Sequence, residues 1–151
     1  MRLWHIDLIT NSLLPKSQLL AQWRELNSIF KKQDKHILIN YIYNYGKEYL
    51  WEYTMAVIIE MKKQNIDIKS FINADNYFDG LGEVPPVIYD IWRFKEHNKE
   101  YLTICYYNLK EKYIRGQKDF TKDVWEKLDN FYQNEIKGGI LWKIWELTEK
   151  Q

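Results

Sequence analysis

Residues 15–30 read PKSQLLAQWRELNSIF, and this stretch decides the class of the fold. Pro15 suits the first turn of a helix, where its missing N–H costs nothing. Leu19, Trp23, Leu26 and Phe30 then recur at helical spacing and predict a buried stripe, widened by Leu20. The opposite face presents Gln18, Gln22, Glu25 and Ser28, with Arg24 beside it. Glu25 is therefore expected to point away from the core while standing on rigid helix. That is a sound mounting for a catalytic carboxylate and equally the ordinary place for a surface one.

Outward from this helix the chain repeats the same periodicity. Residues 1–13 mix apolar and polar groups and end in Thr10-Asn11-Ser12, which predicts an extended N-terminal arm packed on the domain. After a polar break over 31–35, the apolar and aromatic run 36–45 fits strand, irregular structure or helix. Residues 47–63 predict a long helix with Leu50, Tyr53, Val57 and Met61 on one face, broadened by Met55, Ile58 and Ile59, as in the centre of a bundle. Residues 65–86 read as loop, with a short helix near 68–72, and 87–94 as a short element of open type. A third long helix over 97–114 turns Leu102, Cys105 and Leu109 inward. Thr121 is a good N-cap for a helix over 123–136 that buries Val124, Leu128 and Phe131 or Tyr132. Gly138-Gly139 breaks it, and an aromatic segment over 140–146 ends the pattern. The expectation is an all-α protein, one compact helical domain over residues 1–151 with an extended N-terminal arm.

Composition allows this and excludes other classes. The 151 residues are 46% hydrophobic and 28% charged, a globular balance rather than a disordered one. Aromatics reach 17%, with 7 Trp and 12 Tyr, either as amphipathic core and surface rings or as platforms for a ligand's bases. Net charge is only +1, but its placement is uneven. Through His36, Arg2, Lys16, Arg24, Lys31, Lys32 and Lys35 face only Asp7, Glu25 and Asp34, so this end carries +3 and the remainder −2. A basic end on a near-neutral protein suits a local polyanion site, and also an ordinary solvated helix face. The lone Cys105 sits in an apolar run and predicts a buried thiol. Short, interrupted hydrophobic stretches predict no membrane span and no secretory signal, and so a reducing intracellular setting.

Few chemical motifs are present. His5-Ile6-Asp7 puts two possible ligands close together, and His36 and His97 lack partners at ligand spacing, so no metal is expected. Gly80 and Gly82 lack the lysine and the strand–helix frame of a phosphate loop. No serine nucleophile elbow appears. The remaining candidates are the chain's own α-amine at Met1 and Glu25. An unperturbed α-amine titrates near 7.7–8.0. It is thus partly neutral at working pH and can attack an electrophilic carbon to form an imine. A carboxylate can stabilise the resulting cation and move protons, and arginines can hold phosphates through two hydrogen bonds.

The run Arg2-Leu3, then Leu19-Leu20-Ala21, Arg24-Glu25-Leu26, Phe30 and Lys35-His36 resembles the pyrimidine-dimer DNA glycosylase family of the phage endonuclease V type. Weaker similarity continues through Ile58-Ile59-Glu60-Met61-Lys62-Lys63 and Asn65-Ile66-Asp67-Ile68. The resemblance implies an all-α base-excision enzyme that binds kinked damaged duplex DNA, extrudes a nucleotide and attacks deoxyribose C1′ with its N-terminal amine. β-Elimination then cuts the strand without metal or other cofactor. It implies Met1 and Glu25 as catalytic residues and Arg2, Arg24, Lys35 and His36 as DNA contacts. Gln18 joins that set where the family has a histidine, and Ser28 stands in place of a helix arginine. In the family the initiator methionine is removed to expose a threonine. Here the bulky Arg2 predicts that Met1 is retained. Trp142-Lys143-Ile144-Trp145 echoes the family's aromatic C-terminal segment. A monomer, cytoplasmic and DNA-associated, is expected. The alternative is a helical domain that binds nucleic acid or protein without catalysis.

Overall fold

The computed structural model describes residues 1–82, 92–138 and 140–149, the side chains of 140–143 and 146 excepted. The described residues form seven α-helices and no strand, so the all-α class holds. None of these helices is long and apolar enough to cross a membrane. The chain divides into two compact units, Met1–His97 and Asn98–Gln151.

In the first unit, α1 (Ile6–Thr10), α2 (Lys16–Lys32), α3 (Lys47–Lys63) and α4 (Ile72–Tyr77) are joined by a 3-10 helix, Asn40–Asn44, in the run left open by the sequence. The N-terminal arm differs from expectation, because it is non-helical only through His5. His5 caps α1 by accepting the Asp7 N–H at 3.1 Å through Nδ1. Ile6, Leu8 and Ile9 then bury the helix against α3. Five residues form no stable helix alone, so packing supplies the order. Ser12, at φ 56°, ends the turn with its hydroxyl donating to the buried Glu60 at 2.8 Å.

α3 occupies the centre of this unit, packed by both α1 and α2. Leu50, Tyr53, Val57 and Met61 are inward as the spacing predicts. Met55, Ile58 and Ile59 are half-buried, and Glu52, Thr54 and Glu60 are buried instead. α4 begins at Ile72, just where the proposed 68–72 helix was to end. The turn-like Asn73-Ala74-Asp75-Asn76 is helical because its neighbours hold it. Asn73 donates to Asn27 of α2 at 2.9 Å, and the Phe30 ring packs 5.3 Å from both Tyr77 and Phe78. The segment 83–91, with Pro85-Pro86 and most of the 87–94 element, lies outside the described residues.

The second unit is built on α5 (Lys99–Ile114) and α6 (Lys122–Lys137), followed by α7 (Ile140–Glu149). Asn98 and Thr121 cap α5 and α6 through side-chain oxygens. Leu102, Cys105, Leu109, Leu128 and Tyr132 are buried, whereas Val124 and Phe131 are only half-buried. Tyr106 stacks on Tyr132 at 3.8 Å and Tyr113 on Trp125 at 5.0 Å. This pairing sets α5 antiparallel to α6. Gly116, at φ 84°, opens the turn between them, a conformation that suits glycine.

Candidate active site and nucleic-acid interface

The N-terminal residues are fixed by a side chain that the sequence pattern places wrongly. Gln22, assigned to the exposed face of α2, is 1% exposed, while Trp23, assigned to the core stripe, is half-buried. The inward row runs Leu19, Gln22, Leu26 and Ile29. Hydropathy favours the indole over the amide for the inward position. The inversion is possible because the N-terminal arm brings its own backbone polar groups to Gln22.

Gln22 Oε1 accepts the Trp4 N–H at 2.8 Å, and its Nε2 donates to the Arg2 carbonyl at 3.1 Å. One side-chain amide thus clamps the two backbone groups flanking Leu3, much as a neighbouring strand would. The Tyr53 hydroxyl completes the set, 2.7 Å from the Trp4 carbonyl and 3.0 Å from Gln22 Oε1. Leu3 and Trp4 anchor the segment in the core at 0% and 7% exposure.

This clamp carries Met1 and Arg2 to Glu25. The Arg2 N–H donates to Glu25 Oε2 at 3.2 Å, and Gln22 Nε2 lies 3.4 Å from the same oxygen. Consecutive backbone nitrogens are separated by at most about 3.7 Å. The Met1 amine therefore lies within about 7 Å of that carboxylate oxygen. Met1 is 36% exposed and Glu25 half-buried. Glu25 does not simply face solvent, as the helical wheel predicts: the arm folds across it. An amine and a carboxylate so placed can share a small electrophile and exchange protons through it or through one water.

Along α2, beyond Glu25, a groove of about 350 Å³ is lined by Arg24, Asn27, Ser28, Lys31 and Lys32, with Asn73 of α4 opposite. Trp23 forms one wall, edge-on to the half-exposed Phe71 ring at 6.2 Å. Arg24, Lys31, Lys32 and Lys35 make no ion pair among the described residues. Their charge is thus gathered over the C-terminal half of α2 and the loop that follows it. The last-turn lysines also oppose the negative end of the helix.

Lys35 and His36 stand on the loop after α2. Gln33 ends the helix in the left-handed conformation, φ 49°. Asp34 is held by the Ser28 hydroxyl through its carboxylate and by the Tyr43 hydroxyl through its carbonyl. Burial pushes the Tyr43 phenol up to about 12, so it remains a donor. His36 has a structural duty: its Nδ1 accepts the Leu38 N–H at 3.1 Å, leaving Nε2 as the outward atom. Gln18 lies in the first turns of α2, about 10 Å along the axis from Glu25. The structure thus gathers Met1, Arg2 and Glu25 in one place and Arg24 with the added Lys31 and Lys32 in another. Lys35 and His36 occupy the loop beyond, and Gln18 the far end of the helix.

The candidate metal ligands are otherwise engaged. Asp7 pairs with Arg93 at 2.8 and 3.2 Å. His97 accepts the Ile6 N–H on Nδ1 at 3.0 Å and lies 2.7 Å from the Tyr41 hydroxyl on Nε2. Burial, with His5 and Arg93 nearby, holds its pKa well below the ordinary 6.5. The imidazole is therefore neutral, with its proton on Nε2. Among the described residues no three His, Cys, Asp or Glu side chains gather as a metal site. Cys105 is a buried thiol outside any disulfide. The aromatic C-terminal segment lies on α7, and the Trp142 and Lys143 side chains are outside the described residues.

Residues 1–73 match the family model described as pyrimidine dimer DNA glycosylase. The match extends the resemblance carried by residues 1–36 through α3 to the start of α4, and it supports that family and a role in DNA repair. No curated protein and no solved structure matches the chain.

Proposed function

We propose that this protein is a DNA glycosylase with abasic-site lyase activity, in which the Met1 α-amine is the nucleophile and Glu25 the acid–base group. The observation that carries this reading is the Arg2 N–H to Glu25 hydrogen bond at 3.2 Å, which keeps the preceding amine close to the carboxylate. The substrate is damaged duplex DNA, with pyrimidine dimers as the lesion class named by the family match.

The neutral amine attacks C1′ of the damaged nucleotide, forming a C–N bond as the N-glycosidic bond breaks and the base departs with its electron pair. The new C1′-bound amine passes a proton to O4′ as the C1′–O4′ bond breaks, which gives a ring-opened protonated imine and a 4′-hydroxyl. Glu25 stabilises this cation and takes the C2′ proton. The electrons of that C–H bond form a C1′=C2′ enamine as the C=N pair moves onto nitrogen; return of that pair shifts the double bond to C2′=C3′ and expels the 3′-phosphate from C3′ with its bonding electrons. Hydrolysis of the imine returns the amine. Arg2 and Arg24 hold flanking phosphates, while Lys31, Lys32, Lys35 and His36 extend the contact along the backbone. Gln18 contributes from the opposite end of α2.

Borohydride trapping on dimer-containing and abasic duplexes tests the proposal, because reduction turns the imine into a stable crosslink. Wild-type protein is expected to form the adduct. Glu25→Gln is expected to slow strand cleavage by about 10²–10⁴-fold, the usual loss of a positioned acid–base group. Acylating the Met1 amine is expected to remove the adduct entirely. Duplex binding without any adduct would instead establish the non-catalytic alternative.

A further inference from the structure

The loop after α2 carries an apolar side chain where a soluble surface has little reason to keep one. Ile37 is 86% exposed, and Leu38 beside it is 40% exposed. A single exposed aliphatic residue is unremarkable by itself. This one differs in two respects.

First, it is held rigidly. The Ile39 and Asn40 N–H groups both donate to the His36 carbonyl at 2.9 Å, and Asn40 Oδ1 accepts the His36 N–H at 2.7 Å. His36 Nδ1 takes the Leu38 N–H, and Ile39 is fully buried beneath the turn. The β-branched Ile37 thus stands at the apex of a closed turn with little freedom to fold back.

Second, its surroundings are cationic. Lys35 precedes it, and Lys31 and Lys32 lie at the adjoining end of α2, all without an ion-pair partner among the described residues. A protein or lipid partner that buried Ile37 by hydrophobic contact alone would leave those charges unmatched. A polyanion with apolar faces inside it satisfies both features. Duplex DNA has that character, with phosphates outside and stacked bases within.

We propose that Ile37 is an apolar wedge that enters a base step of bound duplex DNA, backed by Leu38, while Lys35 and the α2 lysines hold the adjacent phosphates. The proposal rests on the DNA-repair reading above and adds a positioning residue to it. The wedge opens the stack and bends the duplex, as inserted aliphatic side chains do in minor-groove proteins. The axial separation from Glu25 to the last residue of α2 is about 10 Å, or about three base steps. Ile37 stands on the loop beyond that end, so the proposal sets the opened step to one side of the nucleotide facing Glu25.

The test uses the full chain and a duplex bearing a non-cleavable abasic analogue, with 2-aminopurine reporting unstacking and end-labelled dyes reporting the bend. Ile37→Ala is expected to weaken binding by on the order of tenfold, the effect of one aliphatic side chain left in water. It should also abolish the unstacking and bend signals. The slope of log affinity against log salt should stay as in wild type, because no phosphate contact is lost. Lys35→Ala should instead reduce that slope by about one phosphate contact. Ile114→Ala, at another exposed isoleucine, controls for general surface hydrophobicity and should match wild type. Unchanged unstacking and bending in Ile37→Ala would overturn the wedge, as would a changed salt slope with both signals intact. If wild-type protein traps no imine yet the Ile37→Ala losses occur, the wedge stands and the enzymatic reading falls. If wild type fails to bind the duplex, both fall.

Discussion

The two units solve the problem of burial in opposite ways. In Asn98–Gln151, the α5–α6 pair is closed by aliphatic side chains and a ladder of rings: Tyr106 on Tyr132, Tyr113 on Trp125, with Phe120 nearby. In Met1–His97 the interior also holds His5, Gln22, Glu52, Thr54, Glu60 and His97, all no more than 3% exposed. Aromatic stacking fixes two helices against each other and gains from buried area and from ring geometry. Buried amides, carboxylates and imidazoles instead specify where a non-helical strand of backbone must lie. The unit that uses this costlier device is the one holding the Met1–Glu25 pair, so specificity of position is bought there at the expense of stability.

The comparison can be broken at several points. The largest effect is expected from Gln22→Leu, which leaves the Arg2 carbonyl and Trp4 N–H unpaired in the interior. A loss of about 1–3 kcal/mol per uncompensated group should appear in urea unfolding. Imine trapping should fall as well, since the amine is released from its place. If Gln22→Leu proves neutral in both measurements, the clamp has no positioning role.

Glu52 should respond in the opposite direction. Both of its oxygens lack a hydrogen-bond partner among the described residues, and burial raises its pKa above 4.5. A raised carboxyl favours the folded state only while it is protonated, so stability is lost as pH climbs from 4.5 toward the folded value. Glu52→Gln should therefore stabilise the protein at pH 8, by up to about 1–3 kcal/mol, and much less at pH 4.5. Equal effects at the two pH values would mean that the carboxyl is not the source.

His97 supplies a counter-slope. Below 6.5 the unfolded chain takes up a proton that the folded imidazole refuses, because Nδ1 already accepts the Ile6 N–H and the site is buried. Stability should fall by at most about 1.4 kcal/mol for each pH unit below 6.5, until the folded value is reached. Replacing His97 by Gln should flatten that limb of a denaturation series. In the ring-packed unit, Tyr106→Phe removes the hydroxyl's polar contacts, chiefly the hydrogen bond to Asp129 at 2.6 Å, and keeps the stack. About 1 kcal/mol is expected. A much larger cost would show that this unit, too, depends on polar specification.

The same contrast explains what could be read from the sequence. α3, α5 and α6 follow from periodicity because their inward residues are apolar, and Thr121 caps α6 as its chemistry suggests. The errors cluster where polarity and burial part company. Gln22 and Trp23 exchange places because hydropathy carries no record of an arm, distant in sequence, whose backbone needs an amide. α1 and α4 are too short to announce themselves and owe their helicity to neighbours. Glu25 and Arg24 could be singled out as residues, but the folding of Arg2 over Glu25 is a tertiary fact. Lys31, Lys32 and Ile37 do not stand out as a set in the sequence, since lysines at a helix end and one loop isoleucine are ordinary until their surroundings are known.

The Gln22 clamp also acts as a ruler. It grips the chain at Arg2 and Trp4, so the amine's distance from Glu25 depends on how many residues precede that grip and little on which residue comes first. Extended chain advances about 3.3 Å per residue. Removing Met1 would make the Arg2 nitrogen itself the terminus, 3.2 Å from Glu25 Oε2, where an ammonium group would be held in an ion pair. Adding one residue would carry the amine a further step from the carboxylate. A single residue ahead of Arg2 leaves the nitrogen near Glu25 without being its direct partner.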